Sequence, residues 1–375
     1  MNTRLHVAII CGGRSAEHEI SLLSAAFITT TLRMRHTCTV VYIDRDGGWW
    51  QVPPPFARDP ERFTTFPQYH TQWSPVGLWR FPEGVCLFEL HSGQRGAPID
   101  VVFPALHGPF GEDGTVQGLC ESVDVPYVGA GVLGSAIGMD KVSTKRILQA
   151  QQIPVVPFLA IEFWQWRSSP EAWVQRVEAR LTYPVFVKPS NLGSSIGIRK
   201  VTRRDELSEA ITRAFRYDDT VIVEQGVTPV REIECSVLDG TPPEASVIGE
   251  ITYMREFYDY AAKYLDDRTE LRIPAEIPEE VAERARRLAV VAFIALRCQG
   301  MARVDFLYQP ESDQLFVNEI NTIPGFTAYS MYHRLWQASG LSPDALLERL
   351  LTLAIARHRR RRHHRREPDH AAETS

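Results

Sequence analysis

Polar side chains recur at alternate positions on two neighbouring apolar segments of the chain, residues 301–308 and 314–320. The segments flank a short Pro-Glu-Ser-Asp turn and are predicted to form an antiparallel hairpin. Side chains alternate between the two faces of a strand, so pairing would gather four polar groups on one face: Arg303, Asp305, Glu319 and Asn321. Two carboxylates and an amide oxygen are hard ligands that suit Mg²⁺ or Mn²⁺. A solvated, salt-bridged hairpin edge is the structural alternative.

A lysine at the end of a predicted strand precedes a loop of glycine and serine. The strand covers residues 184–188 and ends in Lys188, and the loop covers residues 191–197. Backbone N–H groups and hydroxyls of such a loop can bind phosphate oxygens. The segment lacks the Gly-Lys-Ser/Thr ending of a Walker A loop. It predicts either a phosphate-binding lid or a hairpin turn that needs glycine.

Two polar loops follow predicted strands in the first third of the chain. Residues 12–19 connect the strand at residues 5–11 to a helix, and residues 107–114 follow a later strand. Loops at the carboxyl ends of strands are where open α/β sheets bind ligands. Turn glycines, a helix-capping Glu17 and a structural His107 are the alternatives.

The elements that would hold these loops follow a strand–glycine–helix–strand order, which is typical of an open parallel sheet. Residues 46–98 are predicted to be a long irregular insertion, and residues 251–274 a long functional loop. Asp140 stands at the N-cap position of a helix at residues 141–151. Further predicted elements are helices at residues 17–34, 204–215, 278–296 and 342–356, and strands at residues 37–43, 198–201, 220–224 and 232–238.

Composition excludes several classes of protein. The chain has 375 residues, of which 44% are apolar, and a formal net charge of −5, which is ordinary for a globular protein. Its longest apolar run, residues 288–296, falls short of the roughly 18 residues that a membrane span needs. Six scattered cysteines without a Cys-x-x-Cys pair favour a reducing cytoplasm. The Arg- and His-rich residues 357–375 are expected to be a disordered basic tail.

The chain contains six motifs in one order: Gly12-Gly13-Arg14-Ser15-Ala16-Glu17-His18-Glu19, His107-Gly108 with Gly111-Glu112-Asp113-Gly114, Gly138-Met139-Asp140-Lys141, Val187-Lys188-Pro189 with Gly193-Ser194-Ser195, Glu256-Phe257-Tyr258-Asp259-Tyr260 with Lys263-Tyr264, and Asn318-Glu319-Ile320-Asn321-Thr322 with Pro324-Gly325-Phe326-Thr327. Taken together, they resemble the motifs of the D-alanine–D-alanine ligases, members of the ATP-grasp superfamily. The resemblance extends over about residues 4–356, and six motifs in one order are far more specific than any single one. The basic tail departs from the family pattern but contains none of the motifs.

The resemblance implies an α/β (α+β) chain with the ATP-grasp fold. An N-terminal open parallel α/β domain is expected over residues 1–137, a central ATP-grasp lobe over 138–225, and a C-terminal catalytic lobe over 226–356. The tail would occupy residues 357–375. ATP would lie between the central and C-terminal lobes, and two D-alanines against the C-terminal lobe.

The resemblance also implies a reaction for peptidoglycan precursor synthesis. ATP phosphorylates the carboxylate of one D-alanine, and the amine of a second D-alanine attacks the acyl phosphate, releasing ADP and phosphate. The resemblance implies two divalent cations, Mg²⁺ or Mn²⁺, with Asp305, Glu319 and Asn321 as their ligands. The implied catalytic residues are Glu17, Ser194, Tyr264 and Arg303. The implied substrate-binding residues are His107, Gly325 and Ser330. The implied ATP-binding residues are Lys141, Lys188, Glu224, Val227, Glu232 and Lys263.

Close alternatives remain open at the level of the sequence. A D-Ala–D-Ser or D-Ala–D-lactate ligase would share most motifs, and Tyr264 favours an amino acid because phenylalanine there would favour D-lactate. A catalytically dead anion-binding protein would have lost catalytic positions, yet the metal triad, the phosphate lysines and Arg303 are present. The expected partners are D-alanine and a second copy in a homodimer, with no nucleic acid, no membrane, and a cytoplasmic location.

Overall fold

A computed structural model describes residues 4–252 and 270–363 of the chain. The strands in these residues are β1 (His6–Gly12), β2 (Thr37–Ile43), β3 (Trp49–Gln51), β4 (Val76–Phe81), β5 (Gly84–Glu89), β6 (Val101–Pro104), β7 (Phe158–Glu162), β8 (Val185–Pro189), β9 (Arg199–Val201), β10 (Thr220–Gln225), β11 (Arg231–Leu238), β12 (Glu244–Thr252), β13 (Glu270–Arg272), β14 (Met301–Gln309) and β15 (Gln314–Asn321). The helices are α1 (His18–Leu32), α2 (Pro54–Ala57), α3 (Thr115–Ser122), α4 (Val132–Met139), α5 (Lys141–Ala150), α6 (Phe163–Ser168), α7 (Pro170–Glu178), α8 (Arg204–Ala214), α9 (Glu279–Ala295), α10 (Met331–Ala338) and α11 (Pro343–Arg362). Among the helices of these residues, none is both long and apolar enough to cross a bilayer.

The N-terminal sheet has the order β3-β2-β1-β6, and β1 pairs in parallel with both β2 and β6. Strand β1 is buried on both faces, with Val7 and Ile9 in one hydrophobic core and Ala8 and Ile10 in another. A continuous apolar run is what such a doubly covered strand requires. The predicted open parallel sheet is therefore confirmed, and its strand ends carry the two polar loops.

Residues 46–98 are more ordered than predicted. They contain β3, α2, two 3₁₀ segments and the antiparallel β4–β5 hairpin. Phe63 and Phe66 are fully buried there, and Phe66 packs against the rings of Tyr42 and Trp73. Short elements held by aromatic contacts have no long hydrophobic period, which explains why the sequence pattern missed them.

The central sheet has the order β7-β10-β8-β9, and all its pairs are antiparallel. Strand β8 is antiparallel to both β9 and β10, so β9, α8 and β10 form a strand–helix–strand unit whose two strands run in the same direction on either side of β8. Strand β7 and helices α6 and α7 lie ahead of the first strand predicted there. Helix α8 packs on the sheet through Leu207, Ala210, Ile211 and Ala214.

The five-stranded C-terminal sheet has the order β13-β12-β11-β14-β15, with all neighbours antiparallel. Along β14, Ala302, Val304 and Phe306 point into a core covered by α9, so the residues between them face the opposite side. The predicted hairpin of β14 and β15 is confirmed. Residues 253–269, which make up most of the predicted functional loop at 251–274, lie outside the described residues.

The last helix, α11, extends to Arg362, so the expected disorder of residues 357–375 is wrong for residues 357–362. Arg357 is buried, its guanidinium donates to the carbonyl oxygens of Gly129 and Tyr127, and it stacks over the Tyr127 ring. Arg361 pairs with Glu121. Arginine is a good helix former, and these partners on the N-terminal part hold the helix end in place. Residues 364–375 lie outside the described residues.

Helices α1 and α11 contribute to a single hydrophobic core. Ile28 and Leu32 of α1 lie in the same buried cluster as Leu346 and Leu350 of α11. The first and last helices of the described chain therefore stabilise the same part of the molecule.

Candidate active site

The polar face of the β14–β15 hairpin gathers the predicted metal ligands. The register places Arg303 opposite Asn321 and Asp305 opposite Glu319. Arg303 donates to both carboxylate oxygens of Asp305, at 2.7 Å each, and the side-chain amide of Asn321 donates to Asp305 at 3.0 Å. The structure therefore brings together all four side chains that alternation predicted.

Arg303 lies between two carboxylates. Its Nε is 2.9 Å from Oε2 of Glu234, a β11 residue that pairs with Asp305 in the sheet register. Burial alone would lower the pKa of Arg303, but Asp305 and Glu234 outweigh it and hold the pKa well above the usual range. Glu234 was missed from the sequence, although it follows the predicted Glu232 at strand spacing. The guanidinium is thus a fixed positive charge at the edge of the site.

The donor set on this face fits a hard divalent cation. Within the residues that the structure describes, no cluster of three His, Cys, Asp or Glu side chains has the geometry of a metal site. The hairpin instead offers two carboxylates and one amide, and oxygen donors of this kind match Mg²⁺ or Mn²⁺ and disfavour zinc. Asp305, Glu319 and Asn321 are therefore suitable ligands, with further coordination left to water and phosphate oxygens.

Lys188 and Glu224 meet on adjacent strands of the central sheet. Lys188 lies on β8 and Glu224 on β10, and Lys188 Nζ is 2.6 Å from Glu224 Oε2. Lys145 of α5 approaches the other carboxylate oxygen at 3.1 Å. Burial alone would raise the pKa of Glu224, but the two ammonium groups lower it to about 2. Lys145 was missed from the sequence; its signal was the four-residue spacing from Lys141 along one helix face.

The glycine and serine loop lies between this lysine cluster and the N-terminal loops. Lys141 Nζ donates to the carbonyl oxygen of Leu192 at 2.5 Å, and Ser194 Oγ donates to the carboxylate of the buried Glu17. A Cβ on Gly193 would lie 2.7 Å from Glu17 Oε2, which is closer than real side chains permit. Glycine at 193 therefore lets the loop approach the first helix.

Asp140 fixes the base of the same loop. Its carboxylate accepts from the backbone N–H of Ser143 at 2.6 Å, as the N-cap prediction required. Its second oxygen accepts from Ser190 Oγ, also at 2.6 Å. Helix α5 and the loop that follows β8 are thus held together at one residue.

His107 and Glu112 join the N-terminal part to the segment that follows β15. His107 Nδ1 donates to the carbonyl oxygen of Ile323 at 3.0 Å, and Nε2 lies 2.9 Å from Ser24 Oγ. Glu112, quoted in a motif but given no role, accepts from the backbone N–H groups of Gly108 and Ile323. Burial, with the charge of Glu17, raises the pKa of Glu112 to about 7. Both ring nitrogens of His107 contact protein groups here, so its predicted substrate-binding role stays a prediction.

Gly325 and Ser330 lie side by side after β15. A Cβ at Gly325 would meet Ser330 Oγ at 2.8 Å, and this hydroxyl accepts from the N–H of Thr327 at 2.9 Å. The pair leaves backbone and hydroxyl groups close together, as a carboxylate-binding site needs.

A cleft lies between the glycine and serine loop, the start of α5 and the end of β15. Its walls come from all three sheet-bearing parts of the chain, and the residues that matter for chemistry are Glu17, Lys141, Ser194, Glu319 and Asn321. Carboxylates, an ammonium group and a hydroxyl thus meet around one cleft, and such convergent polar groups are typical of a ligand-binding site.

Comparison with known proteins gives consistent matches over the chain. The family models "D-ala D-ala ligase N-terminus" and "D-ala D-ala ligase C-terminus" match residues 6–130 and 147–352. The D-alanine–D-alanine ligase of Heliobacterium modesticaldum is 45% identical over 94% of this chain and 95% of its own, and that of Enterococcus hirae is 41% identical over 95% and 98%. This chain belongs to the D-alanine–D-alanine ligase family.

Solved structures agree with that membership. The D-alanine–D-alanine ligase from Coxiella burnetii superposes with a TM-score of 0.83 at 37% identity, covering 96% of each chain. The VanG D-Ala:D-Ser ligase from Enterococcus faecalis gives 0.82 at 34% identity, covering 94% of this chain and 100% of that one. The ATP-grasp fold predicted from the motifs is therefore confirmed.

The remaining ligase-family residues divide into two groups. Val227 lies on the connection from β10 to β11, and Glu232 lies on β11 two residues before Glu234. Val227 therefore lies two residues after β10, the strand that carries Glu224, and Glu232 is close enough to Lys188 for its charge to raise the pKa of that lysine. The adenine- and ribose-binding roles of these residues stay predictions. Lys263 and Tyr264 lie outside the described residues, so their roles stay predictions.

Proposed function

We propose that this protein ligates two D-alanines to D-alanyl-D-alanine at the expense of ATP, releasing ADP and phosphate. The observation that carries the proposal is the single cleft that joins the acidic hairpin face, the glycine and serine loop and Glu17. A protein of this family with the hairpin face, the loop and Glu17 around one cleft can phosphorylate a carboxylate and protect the resulting acyl phosphate from water.

Activation begins with the weak electrophilicity of a carboxylate. Transfer of the γ-phosphoryl group to the first D-alanine gives a D-alanyl phosphate with a good leaving group. Such transfer depends mainly on positioning and neutralisation of charge. Lys141, Lys188 and the backbone N–H groups of the glycine and serine loop supply positive potential beside the phosphates.

Asp305, Glu319 and Asn321 would bind two divalent cations, either Mg²⁺ or Mn²⁺. The cation would supply charge neutralisation and orientation of the phosphate oxygens. Arg303 cannot fill that role alone, since its guanidinium already faces Asp305 and Glu234.

Amide formation then requires attack by the second amine on the acyl carbon. Arg303, on the hairpin face, would lie beside the carbonyl oxygen of the substrate and stabilise the developing oxyanion. Glu17 would bind the ammonium of the first D-alanine, and Ser194 would hold the loop closed over it. Closure excludes water, which would otherwise hydrolyse the acyl phosphate.

Gly325 and Ser330 would bind the carboxylate of the second D-alanine, and His107 would hold the carboxylate side of the first. Val227 and Glu232, with Glu224, would bind adenine and ribose. Lys263 would add positive charge at the phosphates, and Tyr264 would hydrogen-bond with Glu17 and Ser194.

A coupled assay of ADP release with D-alanine, L-alanine, D-serine and D-lactate as acceptors tests the proposal. ADP and phosphate with D-alanine as the best acceptor support it. A better rate with D-serine or D-lactate would make the protein a ligase for that acceptor, an outcome that the likeness to a D-Ala:D-Ser ligase makes worth measuring. Formation of AMP and pyrophosphate, or no nucleotide turnover, would contradict it.

The homodimer and the cytoplasmic location belong to the same proposal. Light scattering of the purified chain measures the first, and fractionation of cells measures the second. A monomer would leave the chemistry unaffected, because each residue named above comes from one chain.

A further inference from the structure

Glu224 is a single carboxylate that pairs with two lysines. Lys145 Nζ lies 3.1 Å from one of its oxygens and Lys188 Nζ lies 2.6 Å from the other. The side chains of Lys145 and Glu224 are 1% and 3% exposed, whereas that of Lys188 is 13% exposed. The cluster is thus nearly dry, and its two lysines differ in access to the cleft.

Taken by itself, the cluster of Glu224, Lys145 and Lys188 has two ammonium groups for one carboxylate, and burying a charge without a partner is costly. Burial lowers the pKa of Lys145, whereas the charge of Glu224, with Glu319 and Glu232, outweighs burial and raises that of Lys188. Lys188 therefore has other carboxylates near it besides Glu224, and as the more accessible lysine it is the one beside which an anion can arrive.

The supporting elements separate the two lysines further. Lys145 is in the middle of α5, a helix whose start is fixed by the Asp140 cap. Lys188 lies near the end of β8, directly before the glycine and serine loop. A lysine on a strand end beside the loop can turn toward a phosphate, while the enclosed Lys145 has Glu224 as its anionic partner.

We propose that Lys145 is a positioning residue: it remains the counter-ion of Glu224 when Lys188 leaves that carboxylate to bind the nucleotide phosphates. Without Lys145, Lys188 would be held on Glu224, or Glu224 would take up a proton. Either outcome weakens nucleotide binding without loss of a direct contact.

The same residue sets the choice of purine, an inference that rests on the proposed placement of adenine at Glu224. An ionised carboxylate only accepts hydrogen bonds. It can pair with the 6-amino group of adenine and repels the 6-oxo group of hypoxanthine. Lys145 therefore favours adenine nucleotides by keeping Glu224 ionised.

A double-mutant cycle separates this role from a direct contact. The dissociation constants of Mg-ADP and Mg-IDP are measured by titration calorimetry for wild type, Lys145→Met, Glu224→Gln and the double variant. We expect Lys145→Met to weaken ADP binding about tenfold and to reduce the ADP-to-IDP preference several-fold. In the Glu224→Gln background the same change should alter ADP binding by less than about twofold, since no carboxylate remains to be neutralised.

Two outcomes would overturn the proposal. An equal loss of ADP affinity in both backgrounds would mean that Lys145 touches the nucleotide or only supports the fold. Unchanged ADP affinity and unchanged preference in Lys145→Met would mean that Glu224 needs no second lysine. If Lys145→Met alone fails to fold, the decisive comparison is between Glu224→Gln and the double variant. A loss of ADP affinity in the double variant relative to Glu224→Gln would overturn the proposal.

Arg357→Met is the matched control, because it removes another buried cation, on α11 against the N-terminal part. It should lower the melting temperature and leave both dissociation constants unchanged.

Kinetics give a second readout: Lys145→Met should raise KM for ATP and not KM for D-alanine. Because ADP binding needs no ligation, wild type that binds ADP but makes no dipeptide would refute the proposed function and leave this inference standing.

Discussion

Three carboxylates of the candidate site have three different electrostatic environments. Glu224 has two lysines and a lowered pKa, whereas Glu112 is buried near Glu17 and has a raised pKa. Both carboxylate oxygens of Asp305 accept hydrogen bonds from Arg303. The environment therefore distinguishes them: Glu224 is an ionised acceptor, Glu112 bonds to backbone N–H groups, and Asp305, the proposed metal ligand, is held in orientation by an arginine.

Replacement of the hairpin ligands should abolish turnover and spare the fold. In Glu319→Gln/Asn321→Ala we expect the rate at saturating Mg²⁺ to fall more than about 100-fold, because the cation contributes several kcal/mol to the transition state. Both side chains are only partly buried, so the circular dichroism spectrum should not change. Gln314→Ala, on the exposed end of the same strand, is the control and should keep its turnover. Near-normal turnover of the Glu319→Gln/Asn321→Ala variant would refute the metal assignment.

Glu112 should make stability depend on pH. Its pKa is about 7 in the folded protein against 4.5 for the free group, so the folded state binds the proton more tightly between these values. The free energy of unfolding therefore falls as pH rises through this window. Urea unfolding from about pH 5 to pH 8 should show Glu112→Gln gaining about 3 kcal/mol relative to wild type. A constant difference across the range would contradict the assigned environment.

At the scale of elements, the glycine and serine loop connects the central sheet to the start of α1. Ser194 donates to Glu17, and Lys141 holds the loop through Leu192. At the start of the loop, the carboxylate of Asp218 accepts from the backbone N–H and the side-chain amide of Asn191. The proposed closure of the site therefore depends on polar contacts of this loop.

Gly193→Ala should disable closure with little loss of stability. The added Cβ would lie 2.7 Å from Glu17 Oε2, so the loop or the Glu17 carboxylate must shift, which disturbs the Ser194–Glu17 hydrogen bond. We expect turnover to fall at least about tenfold, with thermal unfolding changed by less than about 1 kcal/mol. Gly118→Ala in α3 has open space around the new methyl group and serves as the control. Equal rates for the two variants would show that the loop does not close on Glu17.

The β14–β15 hairpin could be predicted because its signals, two apolar segments with a period of two and a turn between them, all lie close together in the sequence. The burial of Lys145 could not be predicted, since a lysine four positions after Lys141 on a helix looks like a solvated side chain until β8 and β10 pack against it. Glu112 was equally hidden, because one of its two N–H partners, Ile323, is 211 positions away. Local pattern thus predicts which residues share a face, and only tertiary packing determines which charges become buried together.

At the scale of the whole molecule, the arginine-rich end of α11 links the C-terminal and N-terminal parts. Arg357 bonds to backbone carbonyls of Tyr127 and Gly129, and Arg361 to Glu121. The sequence suggested a solvated tail because runs of like charge usually repel. Acceptors elsewhere in the chain, invisible to any local pattern, explain the difference.

Two truncations should isolate the contribution of the arginine contacts at the end of α11. Removal of residues 357–375 should lower the free energy of unfolding by about 2–3 kcal/mol more than removal of residues 364–375, because the buried carbonyl oxygens lose charged donors. Chemical denaturation of both truncated chains measures the difference, and equal stability of the two would mean that the Arg357 contacts contribute nothing.

The core shared by α1 and α11 has a consequence for synthesis of the chain. Ile28 and Leu32 leave the ribosome more than 300 residues before Leu346 and Leu350, the residues of α11 in the same core. Until α11 is made, the first sheet has one face without its final cover, and exposed apolar surface of this kind attracts other chains. The core of the N-terminal part is therefore completed only after α11 has been synthesised.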